Sequence, residues 1–182
     1  NSLQQLEIVE SNRLTFLEEI HLLDTRKIRG HMNEILTNLV QMENLKKVVL
    51  SVGKNSEIDP QRIAKLVSSV ENFKLSCCDD DDRDDIWTFR RGNPGYSEEI
   101  IPAIMRELVS NERSKTKSLN INIQGGFILL NVDPDLFARG TMKLENLSTY
   151  DAGMTQLQGQ KILECLATAE SSSLKELDLK LI

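Results

Sequence analysis

The residues in this chain best equipped for chemistry form a run of carboxylates, Asp79-Asp80-Asp81-Asp82-Arg83-Asp84-Asp85. A calcium loop is the first chemistry to test against it. Such a loop needs oxygen ligands at positions 1, 3 and 5, glycine at 6 and glutamate at 12. Starting at Asp80 supplies Asp80, Asp82 and Asp84, but position 6 is then Asp85 and position 12 is Arg91. Starting at Asp79 puts Arg83 at position 5. Neither register closes around an ion. The run therefore reads as a solvated acidic loop whose like charges repel, with weak contact to a cation or a basic partner as its other use. The only histidines are His21 and His31. His21 is expected on an exposed strand face and His31 in loop or capping surface. Cys77 and Cys78 are neighbours, so an extended strand points them to opposite sides, and no histidine lies near enough to complete a zinc set. Cys165 falls on an apolar helix stripe and reads as core. Gly125-Gly126 precedes Phe127-Ile128-Leu129-Leu130, which is not a phosphate loop. Asn146-Leu147-Ser148 spells a glycosylation sequon inside a predicted strand. No catalytic, metal or cofactor constellation emerges, and the expectation is a protein that is not an enzyme and takes no cofactor.

Beside the acidic run, residues 86 to 96 hold the only tryptophan, Trp87, with Phe89, Arg90, Arg91 and Tyr96. One use folds this stretch back, with Arg90 and Arg91 pairing the carboxylates and Trp87 or Phe89 covering the core edge while residues 79–85 stay exposed and mobile. The other is a partner-binding loop through Trp87, Arg90 and Arg91, because tryptophan, tyrosine and arginine dominate interface hot spots.

These groups need a scaffold, and the composition limits which one. The chain has 182 residues, 40% hydrophobic but only 4% aromatic, so aliphatic side chains fill the interior. Its 22 basic and 28 acidic residues leave a net charge of −6, which opposes binding to nucleic acid or an anionic membrane surface. No run approaches 18 apolar residues. Three cysteines, two of them adjacent, suit a disulfide framework poorly and favour a reducing, cytoplasmic setting. The opening residues, Asn1-Ser2-Leu3-Gln4, carry neither an initiator methionine nor a signal peptide, and the chain reads as a fragment of a longer protein.

Internal self-similarity is the strongest feature. Six segments share the spacing apolar-x-x-apolar-x-apolar: Leu17-Ile20-Leu22, Leu45-Val48-Leu50, Val70-Phe73-Leu75, Thr116-Leu119-Ile121, Leu144-Leu147-Thr149 and Leu174-Leu177-Leu179. They start at 17, 45, 70, 116, 144 and 174, in steps of 28, 25, 46, 28 and 30. The long step carries an insertion at 78–95. Thr116 and Thr149 stand at apolar positions and weaken the pattern there, although threonine suits a strand. Helical stripes lie between the segments: Met32, Ile35, Leu36, Leu39 and Val40; Ile63, Leu66, Val67 and Val70; Ile100, Ile101, Ile104, Met105, Leu108 and Val109; Leu136 and Phe137; Ile162, Leu163, Leu166 and Ala167. Asp59-Pro60 and Asp133-Pro134 read as N-cap followed by first helical residue, and Thr155 holds the same place in its unit.

Alternating strands and helices imply a parallel sheet. A doubly wound sheet buries both faces of its strands, which then read as apolar runs. Here Leu17-Glu18-Glu19-Ile20-His21-Leu22 and Leu174-Lys175-Glu176-Leu177-Asp178-Leu179 interleave charges. One face of the sheet must meet water, with the helices on the other. Strand centres are expected near 20, 48, 73, 119, 147 and 177, with Val48, Leu119, Leu147 and Leu177 buried.

Residues 144–179, LENLSTYDAGMTQLQGQKILECLATAESSSLKELDL, carry the pattern most fully. They resemble the leucine-rich repeat in its ribonuclease-inhibitor-like subclass, and the resemblance covers residues 17–182. It implies an α/β, right-handed solenoid horseshoe over 1–182, with a parallel sheet of five or six strands on the concave face and helices on the convex face. The position eight residues after the first leucine holds Asn or Cys in that family. Here it holds Thr25, Gly53, Cys78, Gln124 and Ala152, of which only Cys78 fits. The roles implied are those of protein-interaction modules: ligand sensing in NOD-like receptors, GTPase regulation, enzyme inhibition. The intervening strand residues would face outward, and His21, Lys47, Lys74, Asn120, Ser148, Tyr150 and Asp178 are the expected contacts for a partner protein. The alternatives are a structural inner segment of a larger repeat array, flanked by further repeats or domains, and an α/β enzyme domain.

Overall fold

The computed structural model describes residues 16–23, 30–53, 58–78, 97–123, 132–169 and 172–181. Among the described residues six strands alternate with five helices: β1 (Glu19–Leu22), α1 (Met32–Val40), β2 (Lys47–Gly53), α2 (Pro60–Ser69), β3 (Asn72–Cys78), α3 (Ser97–Ser110), β4 (Ser118–Ile123), α4 (Pro134–Thr141), β5 (Asn146–Met154), α5 (Gln156–Ala167) and β6 (Glu176–Leu181). The strands form one sheet in the order β1-β2-β3-β4-β5-β6, and every neighbouring pair is parallel. Each strand–helix–strand step thus adds one strand to the same growing edge. Among the described residues no helix is long and apolar enough to cross a membrane.

The register carries the periodicity of the sequence into space. Ile20, Val48, Phe73, Leu119, Leu147 and Leu177 are successive Cα partners across the whole sheet, and Leu22, Leu50, Leu75, Ile121, Thr149 and Leu179 form a second row. Because side chains alternate along a strand, both rows point to one face. There they join a single core with the inner stripes of the helices, each helix packing on the next along the array. The two threonines that weakened the pattern are both buried. Their hydroxyls are answered by neighbouring backbone: Thr116 Oγ1 donates to the Val67 carbonyl at 2.7 Å and Thr149 Oγ1 to the Asp178 carbonyl at 3.4 Å. A β-branched residue with a satisfied hydroxyl replaces an aliphatic one without leaving a buried polar group unpaired.

Local signals set the helix starts. Asp59 caps α2, its carboxylate accepting from the Gln61 N–H at 2.9 Å, with Pro60 in the first turn. Asp133 caps α4 by accepting from the Asp135 and Leu136 N–H groups. Thr155 and Gln158 form a capping box at α5. His31 stands at the N-cap of α1 without a side-chain cap bond and faces solvent 3.9 Å from Glu34. α3 and α4 approach closely at Gly140, where a Cβ would lie 2.6 Å from Met105 Sδ and 3.3 Å from its Cα.

Three expectations need correction, all at the last unit. Leu177 is partly rather than fully buried, because β6 has no described strand beyond it. Leu163 is 52% exposed and Ala167 is exposed, so the α5 stripe narrows to Ile162 and the partly buried Leu166. Cys165 is also only partly buried, and its thiol donates to Asp135 Oδ1 at 3.1 Å. That carboxylate contact and partial burial push the thiol pKa up. Among the described residues α5 packs against one helix, α4, and half of its expected stripe is left exposed. At the position eight residues after the first apolar one, β2 and β3 simply continue, with Gly53 and Cys78 paired as strand partners. The expectations for residues 79–96, including Trp87, Arg90 and Arg91, fall outside the described residues.

Candidate protein interface

The residues between the buried rows define the opposite face of the sheet. The register sorts them into rows of its own. His21, Val49, Lys74, Asn120, Ser148 and Asp178 lie side by side across all six strands. Neighbouring strands are ~4.8 Å apart, so the row spans roughly 24 Å. Five of the seven expected contacts therefore share one line. Lys47 belongs to the row before it, with Glu19, Asn72, Ser118, Asn146 and Glu176. Tyr150 is placed by its backbone in the row after it, with Ser51, Ser76 and Asn122.

The charges are uneven. Around β1 and β2 they cancel locally: Lys47 Nζ lies 2.8 Å and His21 Nε2 2.5 Å from Glu19 Oε1. The Lys47 ammonium, and next the imidazole, hold the Glu19 carboxyl below its ordinary range. Lys74 is exposed and makes no ion pair among the described residues. β4 and β5 contribute amides and hydroxyls, Ser118, Asn120, Asn122, Asn146 and Ser148, and β6 closes the face with Glu176 and Asp178. A shallow depression of about 250 Å³ runs across β4 to β6 between Ser118, Asn120, Asn146, Ser148, Glu176 and Asp178. The face thus grades from a lysine through neutral hydrogen-bonding groups to an acidic edge. Such a surface can orient a macromolecular partner by complementary charge, and among the described residues it shows no enclosed apolar pocket of the kind a small ligand needs. Among the described residues no three histidine, cysteine or carboxylate groups converge where they could hold a metal ion.

Two features were not singled out by the sequence reading. Asn122 Oδ1 is buried and has no hydrogen-bond partner among the described residues. Nothing in the sequence separates it from Asn120, because burial of one amide oxygen depends on its neighbours' side chains. The second feature is a ladder of alternating charge at the start of the strands. The residue after the first apolar position of each repeat is Glu18, Lys46, Glu71, Lys117, Glu145 and Lys175 in turn. Lys46 Nζ is 2.9 Å from Glu18, Lys117 Nζ 2.8 Å from Glu71 and Lys175 Nζ 2.6 Å from Glu145. The main chain forms a parallel ladder: the Glu18 carbonyl accepts from Lys46 and Lys47, that of Lys46 from Asn72, that of Glu71 from Lys117 and Ser118, that of Lys117 from Glu145 and Asn146, and that of Glu145 from Lys175 and Glu176. Hydrogen bonding from the facing lysine lowers the pKa of Glu71 and of Glu145, and donating to the Glu71 carboxylate raises the pKa of Lys117. Glu71 also feels Lys46, and Glu145 feels Lys117, so each interior charge is held from both sides. The signal was present in the sequence, but only once the repeats are stacked in register does the alternation become visible.

Comparison with protein-family models, with curated proteins and with solved structures yields no match to this chain.

Proposed function

We propose that this chain is a non-enzymatic protein-interaction module, a leucine-rich-repeat solenoid of the ribonuclease-inhibitor-like kind. In this reading it binds another protein in the cytoplasm through the concave, open face of its sheet, as NOD-like receptor repeats and related modules do. The single observation that supports this best is the register. Six strands bring side chains from positions 21 to 178 into one continuous, solvent-facing row, while the alternate residues of the same strands build the core. A surface that contributes nothing to the core and yet is presented in ordered rows is suited to reading a partner's surface. The contact residues are His21, Lys74, Asn120, Ser148 and Asp178, with Lys47 and Tyr150 in the flanking rows.

The test is site-directed photo-crosslinking in the cells that express the chain. A photoreactive residue at Asn120 should capture a defined protein adduct, whereas the same residue at Lys65, exposed on α2, should not. Lys74→Glu should then abolish the Asn120 adduct without lowering the melting temperature. Equal adducts from both positions, or an adduct indifferent to Lys74→Glu, would put the binding surface elsewhere.

A further inference from the structure

Two residues before the open face, and one before the alternating ladder, each repeat contributes to a further row: Phe16, Asn44, Ser69, Lys115, Lys143 and Ser173. The register extends to it, since the Lys115 N–H donates to the Ser68 carbonyl at 2.9 Å and the Ser173 N–H to the Met142 carbonyl at 3.1 Å. In the ladder every lysine faces a glutamate. In this row two lysines from successive repeats stand side by side, ~4.8 Å apart along the sheet, and the row holds no acid. Like charges opposite one another on neighbouring strands are destabilising. Lys143 follows Met142 at the end of α4, where a helix C-terminus attracts a cation. Lys115 stands well past the end of α3 at Ser110, so that attraction does not account for it.

Both lysines open onto one groove of about 390 Å³, over the starts of β3, β4 and β5 in the interior of the sheet, whose walls include Glu71, Lys117, Glu145 and Ser173. The two carboxylates are already answered: Lys117 Nζ lies 2.8 Å from Glu71 and Lys175 Nζ 2.6 Å from Glu145. Lys115 acts on the Glu71 charge from a distance. Among the described residues, however, neither Lys115 nor Lys143 pairs with a carboxylate, and the exposed Ser173 hydroxyl has no partner. The groove therefore presents two unanswered ammonium groups and a hydroxyl donor.

We infer that this groove holds one phosphomonoester dianion, carried on a phosphorylated serine or threonine of the partner protein, with Lys115 and Lys143 as its cationic contacts and Ser173 as a hydroxyl donor. A tetrahedral dianion between the two ammonium groups removes their repulsion and gains charge-assisted hydrogen bonds from both. A phosphorylated side chain suits the site because it carries a charge of about −1.5 to −2 at pH 7 and three acceptor oxygens. The net charge of −6 opposes a polyanion such as nucleic acid or an anionic membrane, whereas a single phosphate asks only for a local positive site. The groove also adjoins the open face: Lys117 and Glu145 on its walls are followed by Ser118 and Asn146, which line the depression on that face. A partner lying across the face can extend into the groove. The inference rests on the open-face reading for its partner and not for the anion site itself.

The first arm of the test needs no partner. Proton–nitrogen correlation NMR of the full chain is titrated with N-acetyl-O-phosphoserine methylamide at constant ionic strength. The amides of Lys115, Lys143 and Ser173 should shift saturably, with a Kd on the order of 1 mM. Lys115→Gln and Lys143→Gln should each weaken binding by about tenfold, while Lys65→Gln, exposed on α2, should leave it unchanged. The second arm uses the photo-crosslink from Asn120 in an extract of the expressing cells. Phosphatase treatment before irradiation, or Lys115→Gln combined with Lys143→Gln, should remove most of the adduct. No saturable shift, or a shift that both glutamine variants leave unchanged, overturns the inference and leaves the open-face reading standing. So does an Asn120 adduct indifferent to phosphatase. Dimethyl phosphate or a short deoxyoligonucleotide binding as tightly as the phosphoserine also overturns it, since the groove would then not distinguish a monoester from a diester. Absence of any Asn120 adduct overturns the open-face reading and with it the phosphorylated partner, while a saturable titration still upholds the anion site.

Discussion

The two faces of the sheet are made by the same strands and obey different rules. On the buried face, Val48, Phe73, Leu119 and Leu147 repeat one chemistry in adjacent strands, and each is 0–2% exposed. On the open face the neighbouring row runs from imidazole through valine, lysine, amide and hydroxyl to carboxylate. Packing demands sameness, because each strand must meet the next helix at the same depth. The outward row is released from that demand, and there the side chains diversify. What distinguishes a repeat from its neighbours is therefore concentrated on the outward row.

The largest effects should come from breaking the buried face. Phe73→Ala should cost about 3–5 kcal/mol and Leu147→Ala about 2–5 kcal/mol in denaturant unfolding, since both leave cavities in a packed interior. Gly140→Ala should cost about 1–3 kcal/mol, as its new methyl must displace Met105 while the backbone at 3.3 Å limits the room. Leu177→Ala, at the same repeat position as Leu147 but on the half-open end strand, should cost only about 1 kcal/mol. Equal losses at Leu147 and Leu177 would mean that β6 is covered in solution.

The ladder gives a smaller and pH-dependent effect. The folded-state pKa values of the ladder's Glu71 and Glu145, and of Glu19 on the open face, lie below the ordinary 4.5. Groups with depressed pKa values bind fewer protons folded than unfolded, so their contribution is complete above about pH 4.5 and is lost as pH falls through the folded values. Lys117→Met should lower stability slightly near pH 7, leave it unchanged below the folded pKa values and so flatten the acid limb of a stability–pH curve; an unchanged acid limb would mean that the Glu71 contact is not formed in solution. The smallest effects belong to the open face, where Asn120→Ala should change stability by no more than about 0.5 kcal/mol in the same unfolding experiment.

The strand centres, the parallel order and the helix starts at Asp59, Asp133 and Thr155 were legible because they rest on spacing and on caps, which are local. Thr116 and Thr149 blurred the pattern because their fitness depends on a carbonyl contributed by another repeat. Burial of Leu163, Cys165 and Leu177 was misread for a related reason. An apolar residue at the right spacing is buried only if a neighbour covers it, and among the described residues α5 and β6 have a neighbour on one side. On the open face, the sequence picked out the row of His21, Lys74, Asn120, Ser148 and Asp178. It gave no sign that Lys47 is held by Glu19 or that the Asn122 oxygen is enclosed, because both depend on side-chain contacts between strands.

The central claim is that the open face binds a protein and does not hold the fold. A chain carrying Lys74→Ala, Asn120→Ala, Ser148→Ala and Asp178→Ala together tests it most directly, with a photoreactive residue at Ser118 on the same face to report partner capture. The account predicts an unchanged melting temperature and loss of the adduct. A folded quadruple variant that still captures the same partner in full yield would contradict it.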